Sequence, residues 1–192
     1  MHCRTCFVLL LAATLAHADK PDPARVGTSK TVGDLELIAT VEPTNLDVSL
    51  ALHNTGKQPL AVLSHIKTHE LHYDWFEIEV TWPKAEKDGT CKGTGRLVLK
   101  LSDARNKSYP VTETIAPGGL LVQKISIPAW AARKVNGGIT LGGGFYKIVA
   151  RYRVANEKGV WNGTLETAPA RVLGLDQQRT DMCKTNPGWD KW

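Results

Sequence analysis

An all-β antiparallel sandwich is the fold class that this sequence predicts, and three observations predict it. The stretch after Gly142, Gly143 and Gly144 alternates at period two. Tyr146, Ile148, Ala150, Tyr152 and Val154 fall on one face, and Lys147, Arg151 and Arg153 share the other with Phe145 and Val149. Such alternation marks a half-buried strand. Similar short runs recur along the chain between clusters of turn-forming residues, and no long segment keeps a helical period. Regular strands separated by turn signals indicate a sandwich of about seven to nine strands.

Residues 1–18 read as a signal peptide. Arg4 supplies a positive start, an apolar run extends from Phe7 to Leu15, and Ala16, His17 and Ala18 form a small-x-small cleavage site. That run is too short to cross a bilayer. The mature chain is therefore expected to begin at Asp19 and to be secreted or periplasmic. Cys3 and Cys6 have a CxxC spacing, but they leave with the leader. No later segment approaches the roughly 18 consecutive apolar residues of a spanning helix, so a membrane-spanning chain is not expected. The mature part has 174 residues, 192 less 18. That suffices for one domain, taken as 19–174, followed by a tail over 175–192. With Arg4 gone, 23 basic residues face 19 acidic ones. The excess is modest and calls for no nucleic-acid partner.

The body reads strand after strand. Leu35, Leu37, Ala39 and Val41 alternate up to a turn around Pro43 and Asn45. Leu46, Val48, Leu50 and Leu52 alternate with Asp47, Ser49 and His53, giving a strand with one wet face. Turn formers at 54–59 break it, and 60–63 is a short third strand. Phe76, Ile78, Val80 and Trp82 against Glu77, Glu79 and Thr81 make a fourth, expected to end at Pro83. Strands at 96–101 and 120–127 follow, the second after Pro117, Gly118 and Gly119. The Tyr146 strand comes next, then a turn at 156–159 and a last strand or pair within 160–175. Only 129–135 has room for a helical turn or two. Trp82 and Trp161 fit core positions, whereas Trp189 and Trp192 lie in the polar tail.

Gly144, Tyr146 and Ile148 have the spacing of the tyrosine corner of immunoglobulin-like sandwiches, with Ile148 where those domains carry a cysteine. The run 50–63, through Leu52, Asn54, Thr55, Gly56, Pro59, Leu60, Val62 and Leu63, resembles the L-x-N-T-G/S-x-x-P-L-x-V-L turn of bacterial immunoglobulin-like domains. Asp74 to Val80, Ile115 to Gly119 and Gly144 to Tyr146 follow in the expected order. Over roughly 35–154 the chain is similar to the non-catalytic β-sandwich that precedes the catalytic domain of some bacterial deuterolysin-type (peptidyl-Lys) metallopeptidases. It departs from them in showing no catalytic domain after Val154 and in an apparent insertion at 91–101. The resemblance implies a free-standing accessory module rather than a peptidase.

Two cysteines remain after the leader, Cys91 and Cys183. In an oxidising compartment the simplest reading is one disulfide that ties the tail to the body. Closing a loop of about 92 residues would stabilise by roughly 4–5 kcal/mol on the chain-entropy account, less any native strain. A free reactive pair or a metal site is the alternative.

The densest chemistry lies at 65–74, where His65, His69, His72, Tyr73, Asp74 and Trp75 crowd one connection. A zinc peptidase needs two histidines one helical turn apart with a glutamate between them. His69, Glu70 and His72 are one residue short of that spacing, in strand-like surroundings. A binding-only zinc or copper site at His65, His69 and His72 is chemically reasonable, because neutral imidazole suits both metals. A solvated edge is the plainer reading. No G-x-S-x-G elbow is present, and the glycine runs at 137–138 and 142–144 lack a following Lys-Ser/Thr. Asn106 and Asn162 open formal glycosylation sequons. The expectation is therefore a secreted non-catalytic binding module with no cofactor. It would act as an inhibitor or accessory partner of an exported protease or envelope component, in the envelope or outside the cell. The alternative is a periplasmic zinc- or copper-binding protein using the three histidines.

Overall fold

The computed structural model describes residues 25–66, 75–85, 91–100, 110–129 and 145–173. The stretch expected to be a leader, 1–18, and the expected tail, 175–192, therefore lie outside the described residues. Within them the chain is all-β and antiparallel. The strands are β1 (Val26–Thr28), β2 (Leu35–Val41), β3 (Asp47–Asn54), β4 (Leu60–Ile66), β5 (Phe76–Ala85), β6 (Cys91–Lys100), β7 (Pro110–Ile115), β8 (Leu120–Ser126), β9 (Phe145–Val154), β10 (Gly163–Glu166) and β11 (Ala170–Leu173). One helical turn is described, at 127–129. No described helix is long and apolar enough to cross a membrane.

The period-two pattern becomes two packed layers. One sheet runs β1-β2-β3-β8 and the other β10-β9-β5-β6, with β11 also on β9. β10 and β11 share one edge of β9, the first along Arg151 to Val154 and the second along Phe145 to Ile148. Thr167 fills the gap between them. Its N–H donates to the Ala150 carbonyl at 3.0 Å, and its hydroxyl accepts the Ala150 N–H at 3.1 Å. Placing β3 beside β8, and β5, β9 and β10 together, gives the B–E and C–F–G adjacencies of immunoglobulin sandwiches.

The buried rows of β2 and β3, such as Leu35, Leu37, Leu50 and Leu52, face those of β5 and β9, such as Ile78 and Ile148. Each such side chain stabilises by about 1.5–3 kcal/mol through burial. The seam between β1 and the second sheet is closed. Ser29 bridges Thr167, and the Ala168 N–H donates to the Thr28 carbonyl at 3.0 Å. The backbones meet so closely that a Cβ on Gly27 would stand 2.2 Å from the Ala168 carbonyl oxygen.

β4 and β7 form a separate two-stranded ribbon. It is fastened to the layers by side chains and a backbone bond rather than by a ladder. The Tyr152 hydroxyl donates to the Leu63 carbonyl at 2.8 Å and accepts the Leu63 N–H at 3.1 Å. Gln123 Nε2 donates to the Ser64 carbonyl at 2.6 Å, and the backbone N–H of Trp161 donates to the Ala61 carbonyl at 2.8 Å.

Several local expectations change. β5 does not stop at Pro83 but continues to Ala85, with a register shift between those residues. Such an irregularity relieves a residue that has no N–H to give the sheet. β6 spans Cys91–Lys100 and pairs with β5, so it begins ahead of the strand expected from Arg96. Gly95 is needed there, because a Cβ would meet the Trp82 indole at 2.2 Å. β1 and β7 were not expected, being short and weakly alternating. Tyr146 is buried as the corner spacing predicts, while Tyr152 carries the described bonds across to the ribbon.

Replacing Tyr152 by Phe removes both bonds to Leu63 while keeping the ring. Chemical denaturation is expected to show a loss of about 1–3 kcal/mol, because Leu63 is left with buried, unpaired backbone groups.

Candidate functional site

The 65–74 connection leaves the ribbon and enters the second sheet. His65 lies within β4, opposite Val111 and just past a register shift, so its backbone belongs to a strand and not to a loop. His69, His72, Tyr73 and Asp74 lie outside the described residues. Trp75 is the first described residue on the far side. Its carbonyl accepts the Arg153 N–H at 2.8 Å, and its indole packs partly buried against the core. The structure thus fixes both roots of the connection without assembling a histidine cluster from the described residues.

Behind Trp75 the support is aromatic. The Phe76 and Tyr152 rings are 4.8 Å apart at 43°, and Tyr152 and Trp161 are 5.6 Å apart at 27°. Trp161 Nε1 donates to the Val32 carbonyl at 2.8 Å. Burial pushes the Tyr152 hydroxyl above its ordinary range, and its bond to Leu63 offsets that in part. This phenol is held in the core as a structural donor.

The charged groups beside the connection form a cross-strand network on the outer face of the second sheet. Arg151 donates from Nη1 to Glu77 Oε1 and Glu79 Oε2, both at 2.8 Å, and from Nε to Glu166 Oε2 at 2.6 Å. Arg96 Nε donates to Glu79 Oε1 at 2.6 Å. The alternation of β5 and β9 placed these residues outward, but not their convergence, which depends on register. Glu166 raises the Arg151 pKa most, followed by Glu79. The Arg96 hydrogen bond, with that of Arg151, lowers the Glu79 carboxyl to about 2.

The N-T-G turn is structural. Asn54 is fully buried. Its Nδ2 donates to the carbonyls of Gln58 at 2.8 Å and Ile115 at 2.9 Å, and its Oδ1 accepts the Gly56 N–H at 2.9 Å. Asn162 is also engaged, with Nδ2 donating to the Glu157 and Val160 carbonyls at 2.7 and 2.8 Å. That sequon holds its own turn. Asn106 lies outside the described residues.

Cys91 opens β6, and its register partner is Ala85. Cys183 lies outside the described residues. The sequence reading missed an apolar surface at β8, where Leu120 is 57% exposed and Val122 51%. The signal was present: Leu120, Leu121 and Val122 are consecutive, so a two-sided strand must turn some of them outward.

Comparison with protein-family models, with curated proteins and with solved structures finds no match for this chain.

Two outcomes are expected. The Glu79 pKa is lower in the folded chain than its ordinary 4.5. The unfolded chain therefore takes the proton first as pH falls, and the stabilisation is full above about pH 4.5 and lost as pH drops towards 2. Glu79→Gln should flatten that part of the stability-against-pH curve, measured by unfolding midpoints. Separately, Cys91 and Cys183 should resist thiol reagents in native oxidised protein and react after reduction. Two titratable thiols before reduction would refute the bridge.

Proposed function

We propose that this protein is a secreted, non-catalytic binding module whose contact surface is the 65–74 connection together with Trp75. The observation that supports this most is the anchoring of Trp75. Its carbonyl is bonded to β9 and its indole rests on the core, so the connection is rooted on a rigid layer. Loops carried by a rigid scaffold are where binding residues concentrate. The resemblance to the accessory sandwich of deuterolysin-type metallopeptidases points the same way. It suggests a protein partner in the envelope or outside the cell, with the chain as inhibitor or accessory partner of an exported protease or envelope component. The perturbed side chains near the connection are accounted for by packing and ion pairing, as at Glu79, Arg151 and Tyr152.

The test compares variants against an envelope extract from the native host. Tyr73→Ala or Trp75→Ala should weaken association by about 2 kcal/mol or more, as expected for a buried aromatic anchor. Changing His65, His69 and His72 together to alanine should leave it nearly unchanged, as should a strong chelator. If the histidine variant or the chelator abolishes binding while the aromatic variants do not, the reading gives way to a zinc- or copper-dependent one. If no variant alters association, the connection is only a solvated crossing.

A further inference from the structure

Among the described residues, β6 pairs only with β5 and β8 only with β3, so each presents one unpaired edge. Both edges lie on the same side of the sandwich, because the opposite side is sealed where β1 meets Thr167 and Ala168. Their sequences differ in kind. β6 contains Lys92, Arg96 and Lys100 with Gly93 and Gly95, a composition that opposes further strand pairing. β8 carries a single outward lysine, Lys124, and over its first half turns Leu120 and Val122 to the surface. Val122 continues a row of half-buried apolar residues, in register with Ala51 of β3, which is in register with Ile38 of β2. Exposed apolar side chains on the outer face of an edge strand offer a surface that a further segment can cover.

The topology brings a covering segment within reach. The Trp161 indole bonds to Val32, so β9 ends beside the Val32 turn and begins at the opposite end of the sandwich. At that opposite end Leu173 pairs with Phe145, β6 begins at Cys91, and the Ile127 N–H, just past β8, donates to the Leu46 carbonyl. Three strand spacings, about 14 Å, separate β11 from β6. The ten residues from Leu173 to Cys183 span up to about 33 Å. Cys183 therefore reaches Cys91 easily. From there the facing sheet is about 10 Å away, and residues 184–192, roughly 30 Å when extended, reach along all of β8.

We infer that residues 184–192, tethered at Cys91 through a disulfide to Cys183, cover the β8 edge and lay Trp189 and Trp192 against Leu120 and Val122. The inference rests on that disulfide and is independent of the binding role of the 65–74 connection. It gives the two tail indoles an apolar surface and gives the exposed Leu120 and Val122 their cover.

Hydrogen exchange of the oxidised protein tests it, comparing the full chain with one ending at Cys183. The exchange of β2 serves as the control for an intact fold. Peptides over β8 should exchange at least tenfold faster in the shortened chain while β2 stays unchanged. The full-length double variant Trp189→Ser/Trp192→Ser should reproduce the effect. Cys183→Ser should also speed exchange at β8, and full protection in that variant would overturn the tether. Equal exchange at β8 in full and shortened chains overturns the docking. So does protection that appears only with rising protein concentration, which would assign the edge to a second copy.

Discussion

A single hydroxyl holds the two-stranded ribbon to the sandwich at its deepest point. Tyr152 reaches from near the end of β9 and satisfies both backbone groups of Leu63. Val62, Leu63 and Ser64 are all buried, so β4 has no wet face at that level. A ribbon buried in this way cannot leave backbone groups unpaired without a cost of about 1–3 kcal/mol each. The packing of Phe76 and Trp161 against the same ring means that one residue fixes the ribbon, the start of β5 and the turn after β9 together. The entry and exit of the 65–74 connection inherit their positions from it.

The outer face of the second sheet depends on a different constraint. Arg151 gathers carboxylates from β5 and β10, and Arg96 of β6 shares one of them, so four strands are laced in sequence. Exposed pairs of this kind contribute little individually, about 0.2–1 kcal/mol. Their arrangement still fixes register, because a one-residue slip would turn every member inward. The outer face of β8 is composed differently, with exposed Leu120 and Val122 preceding an outward Lys124.

Much of this architecture was legible from residue periodicity. The alternation of Leu35 to Val41 and of Tyr146 to Val154 predicted which side chains enter the core, and burial follows it residue by residue. Element ends were less legible. Pro83 reads as a stop, yet a register shift carries β5 past it. β7 hides because it alternates on one side only and earns its place through β4, a partner remote in sequence. The candidate site was legible only as chemical density. Residue types at 65–75 announced a crowded connection, but whether they converge depends on backbone geometry that no spacing rule supplies. The Arg151 network illustrates the same limit, since its members come from four separate strands.

The seam at β1 also bears on how the molecule comes into being. Ser29 meets Thr167, and Trp161 reaches back over 129 positions to Val32. The first and last strands must therefore find one another across nearly the whole described chain before the sandwich is shut. Loops of that length close late, and sandwiches built on such remote contacts fold in milliseconds to seconds rather than microseconds. Until the 167–168 segment arrives, the inner rows of β2 and β9 stay partly open to water. A chain interrupted before that segment would keep most of its strands and lack the one contact that shuts them together.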